Sequence, residues 1–311
     1  MKRWYAKAAI QGVLSKLPDP QRWNRIFQEK VTHSLTLTDV YLIEKWLQAR
    51  DHVANWRSLE SAAVEDFAAL EVGTGWFPIT PLALIASGAR HVTTIDLHSL
   101  LQERAVRETL LSAARGIEEG WLDADHPHAA SRFRDAASGT GIDALLTACG
   151  IEARIGDAAA TGLPSQSIDL SVSNTTLEHI PAPELEAILT ELARLCSPRG
   201  ATCHLIDLSD HYAAFDRSIT PYNYLRYPAK RWRLINDELQ YQNRLRASDY
   251  RNLLRQAGLR IDYERAAGDD LSVLRSVPIA PEFRRYEEQD LLVHSTAVAC
   301  RPASHTLVAI H

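Results

Sequence analysis

The nine residues 70–78, LEVGTGWFP, decide the fold. They finish an apolar run, AALEVG (68–73), of the kind that forms a strand buried on both faces. Gly73 and Gly75 follow with no side chains between backbone and surroundings, so a tight turn there lets the main chain approach another molecule closely. Glu71 places a carboxylate just before that turn.

Outward from this stretch, strands and helices alternate. PLALIASGA (81–89) reads as a helix ending at Gly88, and HVTTIDL (91–97) as a β-branched strand carrying Asp96 near its end. IEARIGD (151–157) and SIDLSVSN (167–174) are two further strands. APELEAILTELARLCSPRG (182–200) is the clearest helix: Leu185, Ile188, Leu189, Leu192 and Leu195 share a face, and Pro198 and Gly200 stop it. ATCHLIDL (201–208) is a fifth strand, SDYRNLLRQAG (248–258) a helix with Ser248 as its expected N-cap, and LRIDYERAA and HSTAVACRP two closing strands. This alternation predicts an α/β fold: a Rossmann-like, mainly parallel seven-stranded sheet with helices on both faces. Ligands of such sheets bind beyond the carboxyl ends of the strands, where the strand order reverses.

Residues 1–60 read as a helical cap, with stripes at Ile10, Val13, Leu14 and Leu17, at Trp23, Ile26 and Phe27, and at Val40, Ile43 and Leu47. Residues 61–311 then form the main domain, with a helical insert at 99–150 and a substrate-side insert at 209–246. The cap is expected to act either as a lid or as a homodimer interface.

Composition narrows the partners. With 311 residues, 46% hydrophobic content and a net charge of −5, the chain is ordinary for a globular protein and lacks a whole-chain basic field for nucleic acid. Its four cysteines form no C-x-x-C pair, which fits a reducing, cytoplasmic setting. No secretory signal and no membrane span are expected.

A glycine turn after the first strand, with a carboxylate ending the second, suggests a nucleotide-like cofactor whose ribose hydroxyls meet Asp96. A dinucleotide is the first reading, but Pro78 removes an N–H that a pyrophosphate would need, and Glu71 repels phosphate. An acidic turn suits a cationic ligand without phosphates, such as S-adenosylmethionine.

LEVGTGWFP, Asp96 and RIGDAAATGLPSQSIDLSVSNTTLEHI together resemble the class I S-adenosylmethionine-dependent methyltransferases over residues 66–210. The resemblance implies that Glu71, Gly73, Thr74 and Gly75 hold the methionine part of S-adenosylmethionine. It also implies that Asp96 takes the ribose, that Asp157 and Ala158 meet the adenine, and that Ser173 and Asn174 face the methyl group. Phe77 stands where the family often has a third glycine, and the segment between the second and third strands is unusually long.

Methyl transfer from a sulfonium mainly requires alignment, but a hydroxyl, thiol or ammonium acceptor must also lose a proton. His179 in NTTLEHI is the first candidate base, with Asp207 and His211 on the same rim to orient it. Some relatives bind a divalent metal through a Glu–His pair, but Thr175 occupies the partner position three residues before Glu178, so no metal is expected. In the 209–246 insert, Tyr222, Tyr224, Trp232 and Tyr241 are expected to wall a small-molecule pocket, with interleaved arginines for an anionic substrate. The expected activity is methylation of a small molecule at O, N, S or C. A nicotinamide-dependent oxidoreductase, an RNA or protein methyltransferase, and a non-catalytic binding module stand as alternatives.

Overall fold

The computed structural model describes residues 3–27, 36–59 and 66–304. Its sheet contains β1 (Phe67–Val72), β2 (Ala89–Asp96), β3 (Ile151–Ile155), β4 (Ile168–Asn174), β5 (Cys196–Asp207), β6 (Leu259–Gly268) and β7 (Val293–Pro302), in the order β3-β2-β1-β4-β5-β7-β6. The first five run parallel, while β7 is antiparallel to both β5 and β6. The order reverses at β1, which pairs with β2 on one side and β4 on the other. All of β1 is buried, as its unbroken apolar sequence requires.

The helices are α1 (Arg3–Leu14), α2 (Pro20–Phe27), α3 (Asp39–Ser58), α4 (Ile79–Ala86), α5 (Glu103–Glu118), α6 (Ala129–Ala136), α7 (Ile142–Thr147), α8 (Ala182–Leu195), α9 (His211–Phe215), α10 (Ala229–Trp232), α11 (Ala247–Gln256), α12 (Leu271–Arg275) and α13 (Glu288–Leu292). On one face of the sheet, α3 to α7 close a core around Trp46, Trp56, Leu82, Leu110 and Phe133. On the other, the leucine face of α8 packs with Tyr250 and Leu254 of α11. Alternation along β1 divides the two: Ala69 joins the first core, Leu70 and Val72 the second.

The cap boundary moves. Helix α3 is not a cap element, because Leu42, Trp46, Ala49, Val53 and Trp56 lie within the first core. Of the expected stripe, Val40 is 75% and Leu47 52% exposed; the bulkier tryptophan face won the contact with the sheet. Only α1 and α2 stand apart. The expected stripe of α1 is also on the wrong side: Val13 is 63% exposed, while Trp4, Ala8 and Gln11 are buried. Trp4 enters a third cluster with Tyr212, Tyr222, Tyr224 and Trp232, and its backbone N–H donates to Asp216 at 3.1 Å. Gln11 donates to Gln240 at 3.0 Å, tying α1 to the 209–246 insert.

Ser248 is not the N-cap of α11. Asp249 accepts from the Arg246 N–H at 2.8 Å, and Ser248 hydrogen-bonds Asp290 through both its N–H and its hydroxyl. No helix among the described residues is long and apolar enough to cross a membrane.

The two faces of α3 give a direct check. Trp46→Ala should cost about 3–5 kcal/mol in urea unfolding, as expected for truncating a buried tryptophan. Val40→Ser and Leu47→Ser should stay within about 0.5 kcal/mol of the parent.

Candidate active site

The strand ends of β1, β2, β3 and β4 meet around a cavity of about 880 Å³. Its floor is the glycine turn. Gly73 has φ 90° and its N–H donates to the Ile95 carbonyl at 2.9 Å. A Cβ on Gly73 would lie 2.4 Å from the Thr176 hydroxyl, so only glycine lets the β1 turn and the β4 loop touch. Gly75, at φ 66°, meets nothing within 4 Å of its would-be Cβ and opens onto the cavity.

Two carboxylates are fixed around this turn. Asp96 accepts from the Gly75 N–H through one oxygen and from the His98 N–H through the other, both at 3.0 Å. Glu71 is buried and accepts from the Thr94 hydroxyl at 2.6 Å. Thr94 in turn sits 2.5 Å from the Thr74 hydroxyl, so the three form a relay ending at the carboxylate. Burial pushes the Glu71 carboxyl up to about 7; the Thr94 hydrogen bond, the nearby Thr80 hydroxyl and the Lys45 ammonium oppose that rise, while Asp96 adds to it.

Asp157 and Ala158 line the cavity after β3, where Asp157 accepts from the Ala159 N–H at 2.8 Å. Asn174 also lines it, but its amide is engaged elsewhere. It accepts from His52 Nε2 at 2.8 Å and donates to Thr80 at 3.1 Å, joining β4 to α3 and α4. Burial holds His52 down near 4, so the ring is neutral and Nε2–H is the donor. Ser173 does not face the cavity: it is fully buried and bonded to His204 Nδ1 at 2.8 Å.

Beyond the β4 end, Thr175 adopts φ 48°, a left-handed conformation that is costly for a β-branched residue. Its hydroxyl accepts from the Lys45 ammonium at 3.2 Å. His179 lines the cavity and its Nδ1–H donates to the Tyr241 carbonyl at 2.7 Å, which leaves Nε2 with a free lone pair. The ring is exposed toward the cavity, and desolvation by the surrounding atoms, with His211 next to it, moves its pKa below the ordinary range. His211 stands 4.9 Å from His179, ring centre to ring centre, and 3.5 Å from an Asp207 oxygen. Burial pulls His211 down, but Asp207 outweighs it and keeps the ring above its usual pKa. The structure therefore brings His179, His211 and Asp207 together, with His179 alone of the three lining the cavity.

The expected aromatic wall is mostly core. Tyr222 and Tyr224 are fully buried and Trp232 nearly so, and none of them lines the cavity. Their polar tips are satisfied internally: Tyr222 donates to the Leu292 carbonyl, Tyr224 to that of Leu208 and Trp232 to that of Gln242. Tyr241 is the one of the four that reaches the cavity. Of the interleaved arginines, two turn inward: Arg244 donates to the Tyr224 and Tyr227 carbonyls and to Glu282, and Arg246 to the Leu208 and Leu291 carbonyls, while Arg226, Arg231 and Arg233 are exposed. Asp210 caps α9 by accepting from the Tyr212 N–H. Missed by the sequence reading were Tyr41 and Lys45 of α3, Gln21 and Asn24 of α2, and Gln240, all of which line the cavity. Tyr41 and Lys45 stand four apart on α3, flanking its tryptophan face, a spacing that also describes any solvated helix face.

The turn fits a cationic, phosphate-free nucleoside. Gly75 leaves a cradle that a Cβ would fill, and Glu71, Asp96 and Asp157 supply negative charge where a pyrophosphate would need donors. Helix α4 begins at Ile79 behind Pro78, so one N–H is absent there as well. Residues 123–204 match the family model described as a methyltransferase domain. None of the curated proteins searched matches the chain. A SAM-dependent methyltransferase from Methanosarcina mazei is similar in structure at a TM-score of 0.44 and 17% identity, over 80% of this chain and 95% of that one. The geranyl diphosphate C-methyltransferase of Streptomyces coelicolor A3(2), solved with Mg2+, geranyl diphosphate and S-adenosyl-L-homocysteine, reaches 0.46 at 13% identity, over 82% and 77%. The [4+2]-cyclase SpnF reaches 0.42 at 14% identity, over 82% and 81%. The methyltransferase-domain match covers β3, β4 and most of β5 of this Rossmann-like sheet, and the acidic glycine turn at the end of β1 lies before it in the chain.

Proposed function

We propose that this methyltransferase passes the methyl group of S-adenosylmethionine to a small-molecule acceptor held in the same cavity. The observation that carries this reading is the cavity's lining. One space of about 880 Å³ is bounded by the cofactor turn, by Lys45 and His179, and by Gln21, Asn24 and Gln240 from the α2 and insert side. That volume lies in the range of small-ligand sites. A wall supplied by both α2 and the insert suits a compact acceptor better than a polymer.

In this reading Glu71 faces the ammonium end of the cofactor, Gly73, Thr74 and Gly75 approach its backbone, Asp96 holds the ribose, and Asp157 with Ala158 bounds the adenine. When bound, the cofactor supplies an activated methyl group on a sulfonium. The protein's part is to align the acceptor and to manage its proton. His179 is the group nearest that task. Its low pKa makes it a weak base at neutral pH, while the Nε2 lone pair stays available. Asn174 serves the site by fixing β4 against α3 and α4 rather than by touching the methyl group.

Calorimetric titration with S-adenosylmethionine and S-adenosylhomocysteine, with NADH as control, tests the cofactor side. Asp96→Asn should weaken both by at least tenfold, the loss of about 1.5–3 kcal/mol expected for a charged hydrogen bond. Unchanged affinity would overturn the ribose assignment, and tight NADH binding in place of the other two would overturn the whole site. Incubation of methyl-labelled cofactor with a cell extract tests the acceptor side. Label should appear in small molecules; label confined to RNA or protein overturns the small-acceptor reading.

Glu71 adds a pH dependence. Its carboxyl, raised to about 7 by burial, carries full charge only above that value. Affinity for the cationic cofactor should therefore climb between pH 5.5 and 7.5, before the cofactor's own amino group begins to lose its proton near 8. Glu71→Gln should bind more weakly and without that climb. A parent profile that is flat across the window would count against Glu71 as the charge partner.

A further inference from the structure

Behind His179 lies a buried acid with no partner. Glu178 is 1% exposed, and neither of its carboxylate oxygens has a hydrogen-bond partner. The amide dipoles of Glu178 itself and of Asp207 lie near it, without reaching hydrogen-bond geometry. A carboxylate left in this state is strongly destabilised, as any buried unpaired ion is.

The neighbours of this acid are nitrogen donors. One nitrogen from His179, one from His211 and one oxygen from Glu178 all lie within 4.8 Å of one another. His211 Nε2 is itself without a hydrogen-bond partner; its nearest charged neighbour is the Asp207 oxygen at 3.5 Å. His179 has its Nδ1–H fixed on the Tyr241 carbonyl, the arrangement that orients a ligating imidazole and leaves the other nitrogen bare.

We propose that Glu178, His179 and His211 form a site for one divalent transition metal ion, of which zinc is the best match. Two imidazoles and one carboxylate are a common zinc donor set, and three protein ligands leave a position open for water or substrate. Ligand atoms about 2.0–2.2 Å from a tetrahedral zinc are about 3.3–3.6 Å apart, so side-chain rotations that move the ligand atoms by about 1 Å close the observed group around an ion. The local cation, Lys45, is drawn off by its hydrogen bond to Thr175, and Asp207 adds a compensating negative charge beside His211. The site is built from two strand ends, the loop after β4 and the start of α9 after β5, which is why spacing around Glu178 alone did not reveal it.

Because His179 also lines the cavity, the ion's open position would belong to the acceptor. This use rests on the small-acceptor reading, whereas metal binding itself does not. An acceptor hydroxyl or enol placed there would lose its proton to water more readily. Its oxygen lone pair would then form the bond to the methyl carbon while the carbon–sulfur pair stays on sulfur, giving S-adenosylhomocysteine.

The test uses the full chain stripped with chelator and titrated with Zn(II), followed by Co(II) for its visible absorption. The expected result is one ion per chain, with Co(II) bands of tetrahedral intensity. Glu178→Gln, which preserves shape, and His211→Ala should each weaken Zn(II) binding by at least tenfold while S-adenosylhomocysteine titration stays within twofold of the parent. That second titration reports a folded cofactor site and separates failure here from failure of the cofactor assignment. Absence of stoichiometric binding to the parent overturns the proposal. So does equal binding by parent and both variants, which would place the ion elsewhere on the surface.

Discussion

Everything in the site depends on the double pairing of β1. Because β1 joins β2 on one edge and β4 on the other, the connections after it depart to opposite sides of the sheet and leave a crevice above its carboxyl end. Full burial of β1 holds that geometry, since its six residues pack against both helical layers at once. The crevice then closes on itself through one contact. Gly73 touches Thr176, so the β1 turn and the β4 loop share a wall that a single added methyl group would split. The β1 turn and the β4 loop are therefore the two sides of one contact.

The parts of the site that follow from this joint were legible in sequence. Glu71, Gly73, Gly75, Asp96 and Asp157 each sit at a strand end, where backbone position is dictated by hydrophobic runs and the side chain has little freedom. His179, Asp207 and His211 came together for the same reason: they follow neighbouring parallel strands, β4 and β5. What sequence could not distinguish was an aromatic pocket from an aromatic core. Tyr222, Tyr224 and Trp232, interleaved with arginines, fit either description. Each has a polar tip that backbone carbonyls satisfied, and once satisfied these rings gained more by burial than by facing a cavity.

The N-terminal helices were misread for a related reason. Counting aliphatic residues favoured Val13 on α1 and Val40 and Leu47 on α3, yet tryptophan with small neighbours made the better contact in both. A face of Trp4 and Ala8, or of Trp46, Ala49 and Val53, alternates bulk with space and can interlock with a neighbouring surface. This rotation of α3 has a functional consequence, because it turns Tyr41 and Lys45 toward the cavity.

Two buried glutamates bracket the joint, and their contrast organises the electrostatics. Glu71 is buried but served: Thr94 donates to it and Thr74 stands behind Thr94. Glu178 is buried to a similar degree with no donor at either oxygen. A fold that supplies a hydroxyl relay to one acid and nothing to the other treats them differently, and the difference matches their surroundings. Glu71 adjoins a turn that opens onto the cavity at Gly75, whereas Glu178 adjoins two imidazoles, each with a nitrogen within 4.8 Å of its oxygen. The same physical demand, positive charge for a desolvated carboxylate, thus acts at the β1 turn and again behind His179, with different groups near to meet it.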